Sequence, residues 1–135
     1  MQQKINLADQ QASIDLAQQM AAQIKKGDVL ALYGELGSGK TFFTQQLCRF
    51  LDVKENVSSP SYVLMNEYQG KFSIAHLDFY RLGGIEEVLE LGLHDIFESG
   101  VTIIEWPEIG EEILPAHTKR LRFAFDGEKR TVVVG

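Results

Sequence analysis

Near the start of the chain Ile14, Ala17, Ala21 and Ile24 fall three and four residues apart, a spacing that predicts an amphipathic helix. Asp9 and Ser13 are both available as its N-cap, and Gly27 as its terminator. The pattern then changes. Asp28 to Tyr33, DVLALY, is a short aliphatic run of the kind expected when both faces of a parallel sheet are covered. Helical spacing resumes from Thr41 to Leu51, where Phe43, Leu47 and Phe50 share a face, and it stops at DVKENVSSP.

Further along, SYVLMNEY, the turn QGK and FSIAHLD predict a hairpin from Ser61 to Asp78. GGIEEVLELGLHDIFES predicts a helix broken or ended near Gly92, and VTIIEW, Val101 to Trp106, a second buried strand. In the tail, Leu121, Phe123 and Phe125 alternate, Asp126-Gly127 turns the chain, and Thr131 to Val134 return it as a hairpin at an edge of the sheet. Buried strands linked by helices, together with hairpins, predict a three-layer α/β fold on a mixed, mainly parallel central sheet.

The chain's 135 residues are 44% hydrophobic and 24% charged, ordinary globular usage that predicts a single domain over 1–135. The formal net charge of −6 speaks against tight, direct nucleic-acid binding, so a polyphosphate would need a local site. The one cysteine, Cys48, has no internal disulfide partner and reads as a small hydrophobe inside a helix. The polar opening MQQKINLADQQ lacks the order of a signal peptide, and no apolar run reaches the roughly 18 residues of a membrane span, so a cytoplasmic location is expected.

Candidate chemistry sits where the first aliphatic run meets the second helix. Gly34-Glu35-Leu36-Gly37-Ser38-Gly39-Lys40-Thr41 matches G-x-x-x-x-G-K-[ST] at every fixed position, in the strand-to-helix context which that motif requires. Glycines there let successive N–H groups converge on a phosphate, and the helix that opens near Lys40 adds the positive end of its dipole. Lys40 is expected at the β- and γ-phosphates of a bound nucleotide and Thr41 on Mg²⁺, with Phe42 continuing the binding loop.

Hydrolysis also needs a carboxylate to orient the Mg²⁺ shell or the attacking water. Asp78 ends the strand that begins near Phe72, and Glu105 ends VTIIE; strand ends of this kind face the crevice used by ligands. Sequence does not divide their labour. The preferred assignment puts Asp78 on the metal or its waters and Glu105 in the outer shell or on the attacking water. His76, two residues before Asp78, is expected as a hydrogen-bonding support, the pair being too few for a zinc site. Arg81 could pair with Asp78, meet phosphate or face solvent. Trp106 could shield the site or simply pack, and Ser58 to Tyr62 lies where related loops sense a γ-phosphate.

In this order and spacing GELGSGKT, SPSY, HLDFYRL and EWPE resemble the bacterial TsaE (YjeE) ATPases over nearly the whole chain. The resemblance implies an ATPase needed to make threonylcarbamoyladenosine at position 37 of tRNA, working with a TsaD–TsaB pair, with tRNA a partner only indirectly. It implies that Lys40 and Thr41 serve phosphate and Mg²⁺, that Asp78 and Glu105 serve metal and water, and that Trp106 lies by the nucleotide. Ser61 stands where the family usually has Thr; the hydroxyl is kept and a methyl is lost. A small-molecule kinase and a non-catalytic nucleotide switch are the competing readings. The first needs an arginine-bearing lid that the scattered arginines do not form, and the second differs only in whether turnover matters.

Overall fold

The computed structural model describes residues 2–35, 37–60 and 63–135. The two aliphatic runs become neighbouring parallel strands, β2 (Val29–Tyr33) and β5 (Val101–Glu105), with Leu30 beside Ile103 and Leu32 beside Glu105. Around them a seven-stranded sheet runs in the order β1-β7-β6-β2-β5-β4-β3. Here β1 is Gln3–Asn6, β3 Met65–Gln69, β4 Ser73–Asp78, β6 Lys119–Phe125 and β7 Arg130–Val134. The four inner strands β6, β2, β5 and β4 are parallel, and the pairings β1·β7, β6·β7 and β3·β4 are antiparallel. The mixed, mainly parallel sheet expected from sequence is thus present.

Helices α1 (Gln10–Gln23) and α2 (Lys40–Phe50) pack on one face of the sheet; α3 (Ile85–Leu89), α4 (Leu93–Ser99) and a 3-10 helix (Pro107–Ile113) cover the other. That gives three layers. Asp9 is the N-cap of α1, its carboxylate accepting from the Ala12 amide at 3.0 Å, whereas Ser13 lies buried inside the helix. In α2, Phe43, Leu47 and Cys48 have no exposed surface, and each large apolar side chain contributes about 1.5–3 kcal/mol relative to exposure. Gly92, at φ +67°, separates α3 from α4 where the sequence predicts a break.

Three features differ from the sequence reading. The polar opening QKIN forms β1, which pairs with β7, so the C-terminal hairpin is one strand inside the sheet edge rather than at it. The strand expected from Ser61 begins only at Met65: the chain turns after Pro60, whose carbonyl accepts from the Val63 and Leu64 amides, and Leu64 is left-handed at φ +71°. Ser61 and Tyr62 themselves lie outside the described residues. The 3-10 helix carries no periodic apolar signal; Trp106 at φ +52° and Pro107 turn the chain into it. Among the described residues no helix is long and apolar enough to cross a membrane.

Candidate functional site

Strand β2 sits in the middle of the sheet, with β5 on one side and β6 on the other. From β2 the chain builds one half of the sheet and returns to lay β6 on the opposite side, so the C-terminal end of β2 is a topological switch point, where α/β sheets open a ligand crevice. The glycine-rich loop leaves β2 there. A cleft of about 880 Å³ opens beside it, lined by Glu35, Gly37, Gly39, Lys40, Thr41 and Phe42 of the loop and α2. Asp78, Glu105 and Trp106 line the same cleft. Most of the loop residues and both strand-end carboxylates singled out from sequence therefore meet on one surface. Gly34, Ser38 and His76 are not on the cleft wall, and Leu36 falls outside the described residues.

The glycines have separate reasons to be glycine. Gly34, at φ +135°, passes so close to β6 that a Cβ would stand 2.6 Å from the Phe123 carbonyl oxygen; packing as well as conformation excludes a side chain. Gly39, at φ +109°, is the N-cap of α2 and gives the helix no side-chain cap. The first amides of α2 are therefore left to an external acceptor or to solvent, which is the arrangement of an anion-binding helix terminus.

Lys40 is the second residue of the site whose needs are unmet. Its side chain is buried, with 5% of the residue exposed, and Nζ has no hydrogen-bond partner among the described residues. It lies 4.2 Å from the centroid of the Trp106 ring, which in turn packs against Tyr80 at 5.0 Å. Burial pushes the Lys40 ammonium below its ordinary value, while Glu105, Asp78, Glu108 and Glu35 push it up without cancelling that effect. A buried cation without a hydrogen-bond acceptor is costly. Ser38 Oγ is likewise buried and unpartnered among the described residues. The orphaned Lys40 ammonium and an uncapped helix start on one loop fit the phosphates of a nucleotide.

Asp78 and Glu105 stand beside each other in the register of β4 and β5 and are both buried. One oxygen of Asp78 accepts the Tyr80 amide at 2.8 Å, fixing the turn after β4. Glu105 Oε2 lies 2.7 Å from His76 Nε2. So His76 serves as the hydrogen-bonding support expected of it, and its partner is Glu105. Among the described residues no three His, Cys, Asp or Glu side chains form a ready-made metal centre. Mg²⁺ is commonly held by one or two carboxylates together with substrate phosphates and waters, and Thr41, Asp78 and Glu105 on the cleft wall are a donor set of that hard-oxygen kind.

Sequence reasoning missed the opposite wall. Leu7, Ala8, Asp9, Gln10 and Ser13, from the β1–α1 junction, line the cleft together with Tyr80 and Arg130. Arg130 donates from Nε to the Gly37 carbonyl at 3.1 Å while its guanidinium lies over Phe125 at 4.3 Å, bracing the loop from β7. No local pattern marks an arginine that reaches across 93 positions. Arg81 and Ser59 also line the cleft.

A phosphate-loop strand-to-helix turn on the middle strand of a mainly parallel sheet, opening into a cleft at the switch point, defines a phosphate-loop α/β protein. The family model of the threonylcarbamoyl adenosine biosynthesis protein TsaE matches residues 7–132. The tRNA threonylcarbamoyladenosine biosynthesis protein TsaE of Treponema pallidum is 34% identical over 113 residues, covering 82% of this chain and 84% of that protein. The protein of the same name from Nostoc is 39% identical over 111 residues, 78% of this chain and 68% of its own. The crystal structure of Bacillus subtilis YdiB superposes with a TM-score of 0.75 at 30% identity, covering 99% of this chain and 84% of that one. The chain belongs to the TsaE family of tRNA threonylcarbamoyladenosine biosynthesis.

Proposed function

We propose that this chain is a Mg²⁺-dependent ATPase of the cytoplasm that supports threonylcarbamoylation of tRNA, acting with a TsaD–TsaB complex and meeting tRNA only through it. The observation that carries the reading is the Lys40 ammonium, buried and without a hydrogen-bond partner among the described residues, at the start of the helix that follows the glycine loop. A triphosphate is a natural counter-charge for it in an otherwise acidic protein of net charge −6.

In this reading the amides of Gly37, Gly39, Lys40 and Thr41 and the Lys40 ammonium hold the phosphates, and Lys40 balances charge that grows on them during transfer. Bound Mg²⁺ would neutralise phosphate oxygens and template the in-line geometry. Thr41 and Asp78 provide oxygens for the metal or its waters. Glu105, held at Oε2 by His76, orients the attacking water and accepts its proton. Trp106, with Tyr80 packed against it, places aromatic surface over Lys40 and restricts water at that point.

Turnover should be slow in isolation and accelerated by the partner. ATP hydrolysis measured with and without TsaD–TsaB tests this directly: equal rates remove partner activation, and phosphate appearing on an added metabolite instead of in solution would establish a kinase.

A further inference from the structure

The contact between His76 and Glu105 joins two residues that are almost wholly out of solvent, with side-chain exposures of 1% and 4%. They come from adjacent parallel strands, two register positions apart: His76 stands beside Ile103, and Asp78 beside Glu105. The side chain of Glu105 therefore leans back along β5 to meet the imidazole at Oε2. Glu105 also lines the cleft.

The remaining faces of the imidazole are occupied by protein. Tyr68 lies beside the ring at 6.2 Å, and its hydroxyl is tied to the Ser58 carbonyl and to Asn66, each at 3.3 Å. His76 Nδ1 is buried and meets no partner among the described residues. That asymmetry selects the tautomer. A hydrogen on Nδ1 would be buried with no acceptor, whereas a hydrogen on Nε2 meets the carboxylate as a donor and asks only that a bare Nδ1 be buried.

We infer that His76 is a positioning residue: by donating from Nε2 it fixes the rotamer of Glu105, so that one carboxylate oxygen is held by protein and the other faces the nucleotide cleft. A glutamate has three side-chain torsions, and without this bond the carboxylate could swing toward Lys40, which attracts it electrostatically. His76 thus keeps Glu105 on the attacking water and leaves the metal side to Asp78. Its effect falls on the chemical step and spares nucleotide affinity, because it touches the carboxylate and not the phosphate loop. This inference rests on the ATPase reading above.

The test uses the full chain with His76→Ala and His76→Gln, the amide of the latter offering an N–H donor in place of Nε2. His76→Ala is expected to lower kcat for ATP about 10- to 100-fold, as loss of such supporting partners does, with KM and calorimetric ATP affinity unchanged. His76→Gln should restore most of the rate. Equal losses in both variants, or an affinity that falls in step with the rate while both remain folded by circular dichroism, would overturn the inference.

A second readout needs no nucleotide. Nitrogen NMR of the ring should show His76 protonated at Nε2 and bare at Nδ1, with the Nε2 resonance shifting in Glu105→Gln; the opposite tautomer refutes the contact. If the parent protein neither binds nor hydrolyses ATP, the proposed function fails, and the ring spectra still decide whether His76 holds Glu105.

Discussion

The Lys40 ammonium rests 4.2 Å from the centroid of the Trp106 ring, between the phosphate loop and the strand end that carries Glu105. An indole face supplies electron density but not a hydrogen-bond acceptor, so the contact offsets part of the cost of burying the cation and leaves its donors unused.

That balance predicts opposite effects of Lys40→Met on function and stability. Calorimetric ATP affinity should be largely lost, because the loop amides alone cannot balance a triphosphate. The folded-state value of Lys40 lies below its unfolded one, so between the two the unfolded chain binds more protons and stability rises with pH. Below that window the full cost of the buried charge is present. Replacing Lys40 by Met should therefore raise the melting temperature at neutral pH by about 3 °C, the equivalent of about 1 kcal/mol. A variant that melts lower than the parent would contradict this account of the lysine.

Glu105→Gln should keep ATP affinity while slowing hydrolysis about 100-fold or more, the usual worth of a positioned general base. Single-turnover measurements check the rate. If tRNA modification proceeds normally with the slowed variant, binding of ATP alone sets the active state and the chain is a switch.

Gly34→Ala and Gly37→Ala should differ in stability. At Gly34 a Cβ meets the Phe123 carbonyl at 2.6 Å and the backbone is left-handed, so the loss should be about 3 kcal/mol or more. At Gly37 nothing among the described residues lies within 4 Å of the added Cβ, and only the positive φ counts, about 1 kcal/mol. Denaturant midpoints of the two variants would falsify the packing argument if they coincided.

Cys48 has no exposed surface, and burial pushes its thiol up to about 12. In the native protein it should not react with an aromatic disulfide reagent at pH 8 over minutes, and it should react at once in denaturant. Rapid native labelling would mean that α2 opens far more readily than its packing implies.

How much of this was legible beforehand differs from element to element. The phosphate loop was, because its chemistry is local: glycines at fixed offsets between an aliphatic run and a helical pattern suffice to identify it. The ends of β4 and β5 were legible for the same reason, since a carboxylate closing a buried run can only face the rim of the sheet. β1 was not, because QKIN is a polar edge strand that acquires its structure from β7. The 3-10 helix was not either, being too short to show a period.

By itself, then, the sequence determined the local geometry and the candidate chemistry: a strand, a bare loop with one lysine, a helix, and two acids at strand ends. Only the tertiary structure decided the strand order, which joins His76 to Glu105 across 29 positions and brings Arg130 to Gly37 across 93. The physical reason is that hydrogen bonding and backbone conformation act over a few residues and leave a pattern in the chain. Which strands become neighbours is settled by the burial of a shared core, and that is a property of the whole chain.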